Sequence, residues 1–115
     1  MSRRALLKLL GHLGFDAHGA ETVAEGRAKL ADLTPGILIL DLMLPDGNGM
    51  ELLREVRAKK LPIRVAVVSG ATEPMLAEAS QLGPDALFGK PIEIADFESW
   101  LREQISDLAK LRQIA

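Results

Sequence analysis

The sequence contains no cysteine and no tyrosine, and its only aromatic residues are three Phe and one Trp. The absence of cysteine excludes disulfides, thiolate zinc sites and cysteine nucleophiles, and it fits a reducing cytoplasm. Because 48% of the residues are hydrophobic and only 3% are aromatic, a buried core must be built from aliphatic side chains. No apolar run is long enough to cross a bilayer, so we expect a cytoplasmic protein without membrane contacts.

An excess of basic residues is also absent. The formal net charge is −2 and the pI is about 5.7, so the chain lacks the excess of positive charge that is typical of direct nucleic-acid binding. The two histidines, His12 and His18, are too isolated to suggest a metal site. A length of 115 residues predicts a single domain, residues 1–115, that is able to bury a core of its own.

Short apolar runs alternate with amphipathic segments along the chain. The runs predicted as strands are Phe15–Ala20, Ile37–Leu40, Ile63–Val68 and Ala86–Phe88. The helices predicted between and around them begin near Ser2, Val23, Met50, Glu73 and Ile94, with Ser2, Thr22 and Asp96 as candidate N-caps and Gly14 as the end of the first helix. Strands that alternate with helices and short turns indicate right-handed crossovers, and hence an α/β fold with a parallel, doubly wound sheet.

The most informative stretch is Gly36–Gly49. Four apolar residues, Ile37–Leu40, are followed directly by Asp41 and then by a turn rich in Pro, Gly and Asn. A strand that is apolar on both faces is typical of a parallel sheet covered by helices, and ligands of such sheets bind beyond the carboxyl ends of the strands. Asp41 is therefore a candidate for chemistry, although Asp41 taken alone is better explained as a turn residue.

Two further strands are predicted to end in polar residues, Ser69 and Lys90. Because the carboxyl ends of parallel strands meet at one edge of a sheet, Asp41, Ser69 and Lys90 should face the same crevice. This arrangement suits an anionic group that forms on the Asp41 carboxylate. The Lys90 ammonium would offset its charge, and the Ser69 hydroxyl would donate a hydrogen bond to it. The alternatives are a helix cap for Ser69 and a surface position for Lys90.

The segment Asp41–Leu53 resembles the phosphoacceptor segment of bacterial response-regulator receiver domains. That segment has Asp at the strand end, an apolar residue and Pro at the third and fourth positions after it, and Asn/Asp-Gly before the next helix. The matching residues here are Asp41, Leu44, Pro45, Asn48 and Gly49. The family also has Ser or Thr after its fourth strand and Lys-Pro after its fifth, which correspond to Ser69 and Lys90-Pro91.

The resemblance implies a flavodoxin-like fold and a two-component signalling function. Asp41 would take a phosphoryl group from a histidine kinase or phosphotransfer protein, with Lys90 as the phosphate partner and Ser69 as the switch hydroxyl. Mg²⁺ would be held by Asp41 and the backbone carbonyl of Met43. The aromatic switch position of the family aligns with Leu87, one residue before Phe88.

The sequence departs from the family at its beginning. Receiver domains open with an apolar strand that ends in two acidic residues, one of which binds Mg²⁺. Here the sequence leads straight into the first predicted helix, and no two acidic residues are adjacent. The expectation is therefore a receiver domain without its N-terminal strand and with impaired Mg²⁺ binding.

Two function hypotheses follow from this departure. The chain is either part of an ordinary phosphoacceptor receiver domain or a degenerate, non-phosphorylated module that binds a protein partner. An enzyme activity of its own is not expected, because no general base accompanies a second nucleophile.

The missing strand also predicts a gap in the sheet. In the family the N-terminal strand lies between the strands assigned here to Phe15–Ala20 and Ile37–Leu40. Because unpaired strand edges expose backbone donors and acceptors, either these two strands pair directly, giving four strands, or a second copy packs there, giving a homodimer.

Overall fold

The computed structural model describes residues 3–33, 35–44, 47–70, 73–89 and 93–114. The chain divides into two compact units, one made of residues 1–17 and 92–115 and the other of residues 18–91. Within the described ranges, no helix has the length and apolar character needed to cross a membrane.

The first unit contains two helices, α1 (Arg3–His12) and α5 (Ile94–Ile114). Helix α1 ends as predicted at Gly14, which has a φ of 92°. The Gly14 N–H donates to the Gly11 carbonyl at 3.1 Å and the Phe15 N–H to the Leu10 carbonyl at 3.0 Å, the pair of bonds of a Schellman motif. A left-handed residue is needed at this point, and glycine adopts that conformation without a steric penalty.

N-caps are predicted for both helices, Ser2 for α1 and Asp96 for α5. Ser2, the predicted cap of α1, lies outside the described residues. Asp96 is not the N-cap of α5, because the helix already begins at Ile94 and the Phe97 N–H donates to the Glu93 carbonyl at 3.1 Å. Asp96 instead lies in the first turn, where its negative charge complements the helix dipole.

The second unit contains the sheet and its crossover helices. Its elements are α2 (Val23–Leu33), β1 (Ile37–Leu40), β2 (Met43–Leu44), β3 (Gly47–Asn48), α3 (Met50–Ala58), β4 (Arg64–Ser69), α4 (Glu73–Gln81) and β5 (Ala86–Gly89). Helix α2 has the predicted cap, since the Glu25 N–H donates to Thr22 Oγ1 at 3.0 Å.

A parallel sheet with the order β1-β4-β5 forms the middle of this unit. Leu38 pairs with Val65 in the β1–β4 register, and Val67 pairs with Leu87 in the β4–β5 register. Three successive residues of β4, Val65–Val67, are fully buried, which is typical of the central strand of a parallel sheet. Residues of β5 alternate between half-buried and exposed, as an edge strand with one outward face does.

An aliphatic core fills this unit, as the composition predicts. Helix α3 buries one face, Leu52, Leu53 and Val56, at the i, i+3 and i+4 spacing of a core-facing helix. These side chains join a single buried cluster with residues of β1, β4 and α4, which includes Leu40, Leu42, Val65, Val67 and Ala79.

The strand predicted over Phe15–Ala20 is wrong. These residues have no strand assignment, and the sheet of the described residues has three parallel strands rather than four. An extended segment becomes a strand only when a neighbour completes its backbone ladder, and β1 does not pair with this one. Of the two alternatives for the gap in the sheet, direct pairing of these two segments is therefore wrong.

One backbone strain point is suited to a stability test. Lys60, after the end of α3, has a φ of 53°, and the Lys60 and Leu61 N–H groups donate to the Arg57 and Val56 carbonyls, each at 3.1 Å. This is a Schellman motif with lysine at the left-handed position, which disfavours residues with a Cβ. We expect Lys60→Gly to raise the free energy of unfolding by about 0.5–1 kcal/mol.

The measurement is urea denaturation followed by far-UV circular dichroism. The matched control is Lys59→Gly, because Lys59 has a right-handed φ of −83° and glycine should there lower the free energy of unfolding, by up to about 1 kcal/mol. Equal effects of the two substitutions would contradict the assignment of strain to position 60.

Candidate functional site

Asp41 and Ser69 meet at the carboxyl edge of the parallel sheet. Asp41 directly follows β1 and is half-buried, and Ser69 is the last residue of β4 and is fully buried. The Ser69 hydroxyl donates a hydrogen bond to Asp41 Oδ1 at 3.1 Å. Because β1 and β4 are adjacent and in register, residues that are 28 positions apart in the sequence reach one point. The predicted convergence of these two residues is present in the structure.

The other two predicted site residues are less completely described. Lys90, with Pro91, lies outside the described residues. Met43 lies in β2, two residues after Asp41, and only its backbone is described. At the predicted aromatic switch position on β5, Leu87 is exposed and Phe88 is half-buried.

A short hairpin follows Asp41, where the sequence predicts only a turn. Met43 pairs with Asn48 and Leu44 with Gly47, in antiparallel orientation. The Gly49 N–H then donates to the Leu42 carbonyl at 2.9 Å. The segment from Asp41 to Gly49, called the Asp41 loop, thus has a backbone hydrogen bond between its residues Leu42 and Gly49.

Helix α3 starts directly from this loop. The Met50 N–H donates to Asn48 Oδ1 at 2.9 Å, which satisfies one of the free donors of the helix N-terminus. Leu42, inside the loop, is fully buried in the core cluster. The loop is therefore anchored on one side by the core and on the other by the first turn of α3.

The oxygen donors described at this edge suit a magnesium ion only in part. The Asp41 carboxylate lies at this edge beside the Ser69 hydroxyl, and Met43, whose carbonyl is the other expected ligand, lies two residues after Asp41 in β2. Mg²⁺ takes six oxygens in an octahedron and fills it with phosphate and water where protein ligands are few. In the ranges that the structure describes, no group of three or more His, Cys, Asp or Glu side chains could hold a metal ion.

The described residues carry further polar networks away from Asp41. Arg27 of α2 donates to Glu55 of α3 through Nε at 3.0 and 3.1 Å and through Nη2 at 2.8 Å. Its hydrogen bonds lower the pKa of the Glu55 carboxyl from its ordinary value, with the positive charges of Arg27 and Lys59 acting in the same direction. The Arg27 and Glu55 side chains are 49% and 35% exposed, so water screens the pair and it adds little to stability.

A second network lies at the amino-terminal ends of β4 and β5, whereas Asp41 lies at the carboxyl end of β1. Arg57 of α3 donates to the Gly83 and Ile63 carbonyls, each at 3.0 Å, and to Asp85 Oδ2 at 2.8 Å. Asp85 Oδ2 also accepts the Val65 N–H at 2.7 Å. This network could not be predicted from the sequence, because its members are far apart along the chain and no local pattern marks them.

Comparison with known protein families identifies the family of this chain. The family model described as the response regulator receiver domain matches residues 1–102. This chain belongs to the receiver domain family. The match covers every described element of the sheet, the Asp41 loop and the start of α5.

Curated relatives agree with this assignment. The receiver domain is 30% identical over 97 residues to the photosynthetic apparatus regulatory protein RegA of Rhodobacter capsulatus, a match that covers 84% of this chain and 53% of RegA. It is 32% identical over 100 residues to the KDP operon transcriptional regulatory protein KdpE of Escherichia coli, covering 87% of this chain and 44% of KdpE. The chain spans about half the length of these relatives.

Solved structures confirm the fold. A CheY-like response regulator receiver domain protein from Methanospirillum hungatei superposes with a TM-score of 0.82 at 25% identity, covering 93% of this chain and 86% of the other. The predicted flavodoxin-like α/β receiver fold is therefore confirmed.

Two other expectations gain no support from the comparisons. The relatives do not support the degenerate, non-phosphorylated module. The expected absence of nucleic-acid binding is not confirmed either, because KdpE is named a transcriptional regulatory protein and this receiver domain spans less than half of it.

Proposed function

We propose that this chain, residues 1–115, is a single phosphoacceptor receiver domain that takes a phosphoryl group on Asp41 from a histidine kinase or phosphotransfer protein in the cytoplasm. The observation that carries the proposal is the 3.1 Å hydrogen bond from the Ser69 hydroxyl to Asp41 Oδ1. It joins the two strand-end residues that match the family motif. A half-buried carboxylate at the carboxyl edge of a parallel sheet is also where such folds carry out their chemistry.

In the proposed reaction, an oxygen of the Asp41 carboxylate attacks the phosphorus of a phosphohistidine. A phosphorus–oxygen bond forms and the phosphorus–nitrogen bond breaks. The electron pair of that bond goes to the imidazole nitrogen, which takes a proton from solvent, and Asp41 becomes an acyl phosphate. The protein contributes mainly by position and electrostatics, because phosphoryl transfer needs little other covalent chemistry from it.

Ser69 and Lys90 have distinct proposed roles. The Ser69 hydroxyl holds the Asp41 carboxylate before transfer and can turn to donate to a phosphoryl oxygen afterwards, since a hydroxyl rotates about its Cβ–Oγ bond. Lys90, by the family motif, places an ammonium group at the phosphate and offsets its added negative charge.

Magnesium would be held by the Asp41 carboxylate and the Met43 carbonyl. When bound, it neutralises charge on the transferring phosphoryl group. Because these two residues supply few of the six ligands, we propose that the chain binds Mg²⁺ weakly and that its phosphorylation is slow and weakly dependent on Mg²⁺.

The test is incubation of the chain with acetyl phosphate, with and without Mg²⁺, followed over hours by intact mass. We expect slow addition of one phosphoryl group, a small effect of Mg²⁺, and complete loss of labelling in Asp41→Asn. Asp16→Asn is the matched control, because Asp16 is an exposed carboxylate outside the motif, and it should label like the parent chain.

Three results would count against the proposal. Labelling that survives in Asp41→Asn would refute the assignment of the phosphoacceptor. No labelling of the parent chain would refute the phosphoacceptor function. Rapid labelling that depends strongly on Mg²⁺ would refute the weak metal site but leave Asp41 as the phosphoacceptor.

A second copy of the chain is a further proposed partner. Strand β1 is at one end of the described sheet and pairs only with β4 there, so its other edge carries backbone groups that another chain can approach. Sedimentation equilibrium decides between monomer and homodimer.

A further inference from the structure

Gly49 has an ordinary backbone conformation, but its surroundings leave no space for a side chain. Its φ of −58° and ψ of −20° are right-handed helical values that any residue adopts. A Cβ atom built at this position would nevertheless lie 2.3 Å from the carbonyl oxygen of Asp41 and 3.1 Å from its carbonyl carbon. Glycine is therefore required here by the close approach of the Asp41 backbone and not by backbone conformation.

The contacts of Gly49 connect Asp41 to a rigid element. Its N–H donates to the Leu42 carbonyl at 2.9 Å, and its own carbonyl accepts the Leu52 N–H at 3.0 Å in the first turn of α3. Leu52 and Leu53, in the same turn, are buried in the core. The peptide group that follows Asp41 thus rests directly on the start of a well-packed helix.

We propose that Gly49 is a positioning residue for Asp41, setting the distance between the Asp41 backbone and α3 so that the carboxylate meets Ser69. This inference rests on the proposed phosphoacceptor function. Real Cβ atoms are essentially never closer than 3.0 Å to such a neighbour, so the 2.3 Å contact of an alanine would require a shift of about 0.7 Å. Catalytic groups must be held within about 0.5 Å, and a misplacement of about 1 Å can cost a hundredfold in rate.

The experiment compares Gly49→Ala with Gly26→Ala, with acetyl phosphate as phosphodonor. Gly26 is a matched control, because its added Cβ would also be crowded, at 3.0 Å, but by the flexible Leu52 Cδ1 of the core. The readouts are the maximal labelling rate, the acetyl phosphate concentration at half-maximal rate, and the unfolding curve from which the folded fraction is calculated.

We expect the maximal rate per folded molecule to fall about tenfold or more in Gly49→Ala, with the half-saturating concentration little changed. Gly26→Ala should stay within about twofold of the parent chain, since its added Cβ meets only the flexible end of the Leu52 side chain and no backbone atom of Asp41. A purely structural role of Gly49 would lower the folded fraction but leave the rate per folded molecule unchanged, and that result would overturn the inference.

A second pair of variants keeps the inference testable if Gly49→Ala does not fold. Asn48→Ala removes the side-chain acceptor of the Met50 N–H beside Gly49, and Thr22→Ala removes the side-chain acceptor of the Glu25 N–H in α2, away from Asp41. Each variant loses one side-chain hydrogen bond to a backbone N–H at the start of a helix, of similar value to stability. We expect a several-fold lower maximal rate in Asn48→Ala only, and equal rates in the two variants would overturn the inference.

The outcomes separate this inference from the proposed function. Labelling that is lost in Asp41→Asn but unchanged per folded molecule in Gly49→Ala and Asn48→Ala overturns the positioning role alone. Absence of labelling in the parent chain overturns both.

Discussion

Replacing Leu42 by alanine is expected to lower the free energy of unfolding by about 2–5 kcal/mol, the usual range for a leucine removed from a packed core. Leu42 directly follows Asp41, is completely buried and belongs to the core cluster formed with α3 and β4. Its carbonyl also accepts the Gly49 N–H at 2.9 Å. The substitution leaves that backbone bond in place but removes the side chain that anchors the Asp41 loop to the core.

Urea denaturation followed by far-UV circular dichroism measures the loss. Leu33→Ala is the control, because Leu33 is 44% exposed at the last residue of α2 and its truncation should change stability by no more than about 0.5 kcal/mol. A Leu42→Ala effect as small as that of Leu33→Ala would mean that the loop is not anchored by this side chain.

Replacing Arg57 by methionine is expected to cost about 1–3 kcal/mol, because one guanidinium group serves three acceptors at once. It bonds the Gly83 and Ile63 carbonyls and the Asp85 carboxylate, and Asp85 also accepts the Val65 N–H. Methionine retains most of the side-chain length but leaves these acceptors without their donor. The cost stays moderate because the Arg57 and Asp85 side chains are 30% and 41% exposed and water can take over part of the bonding.

Arg54→Met is the matched control for Arg57→Met. Arg54 lies on the same helix and forms one salt bridge, with Glu78 at 2.7 Å, between side chains that are about half exposed. Its loss should cost at most about 1 kcal/mol, as for other surface ion pairs. Arg57→Lys should recover little of the Arg57→Met loss, because an ammonium group cannot reproduce the planar fork of a guanidinium. Equal stabilities of the Arg54 and Arg57 variants would contradict the network.

The Asp41 site shows where local sequence pattern is sufficient for prediction. Ile37–Leu40 is apolar and short, so it is identifiable as a buried strand, and Asp41 and Ser69 follow from where the strands end. Because the strands alternate with helices, the sheet is parallel, and both residues lie at its carboxyl edge. The sequence could not predict the loop between Asp41 and α3, because a hairpin of two-residue strands has no periodicity to detect.

The sequence by itself determined the parallel α/β order, the aliphatic core, the cap at Thr22, the helix end at Gly14 and the placement of Asp41 and Ser69. All of these depend on periodicity or on the chemistry of neighbouring residues. Only the tertiary structure decided that Phe15–Ala20 is not a strand, that Gly49 is limited by space rather than by conformation, and that Arg57 joins three segments. Strand pairing, close approach and side-chain networks depend on residues far apart in the chain, which no local pattern specifies.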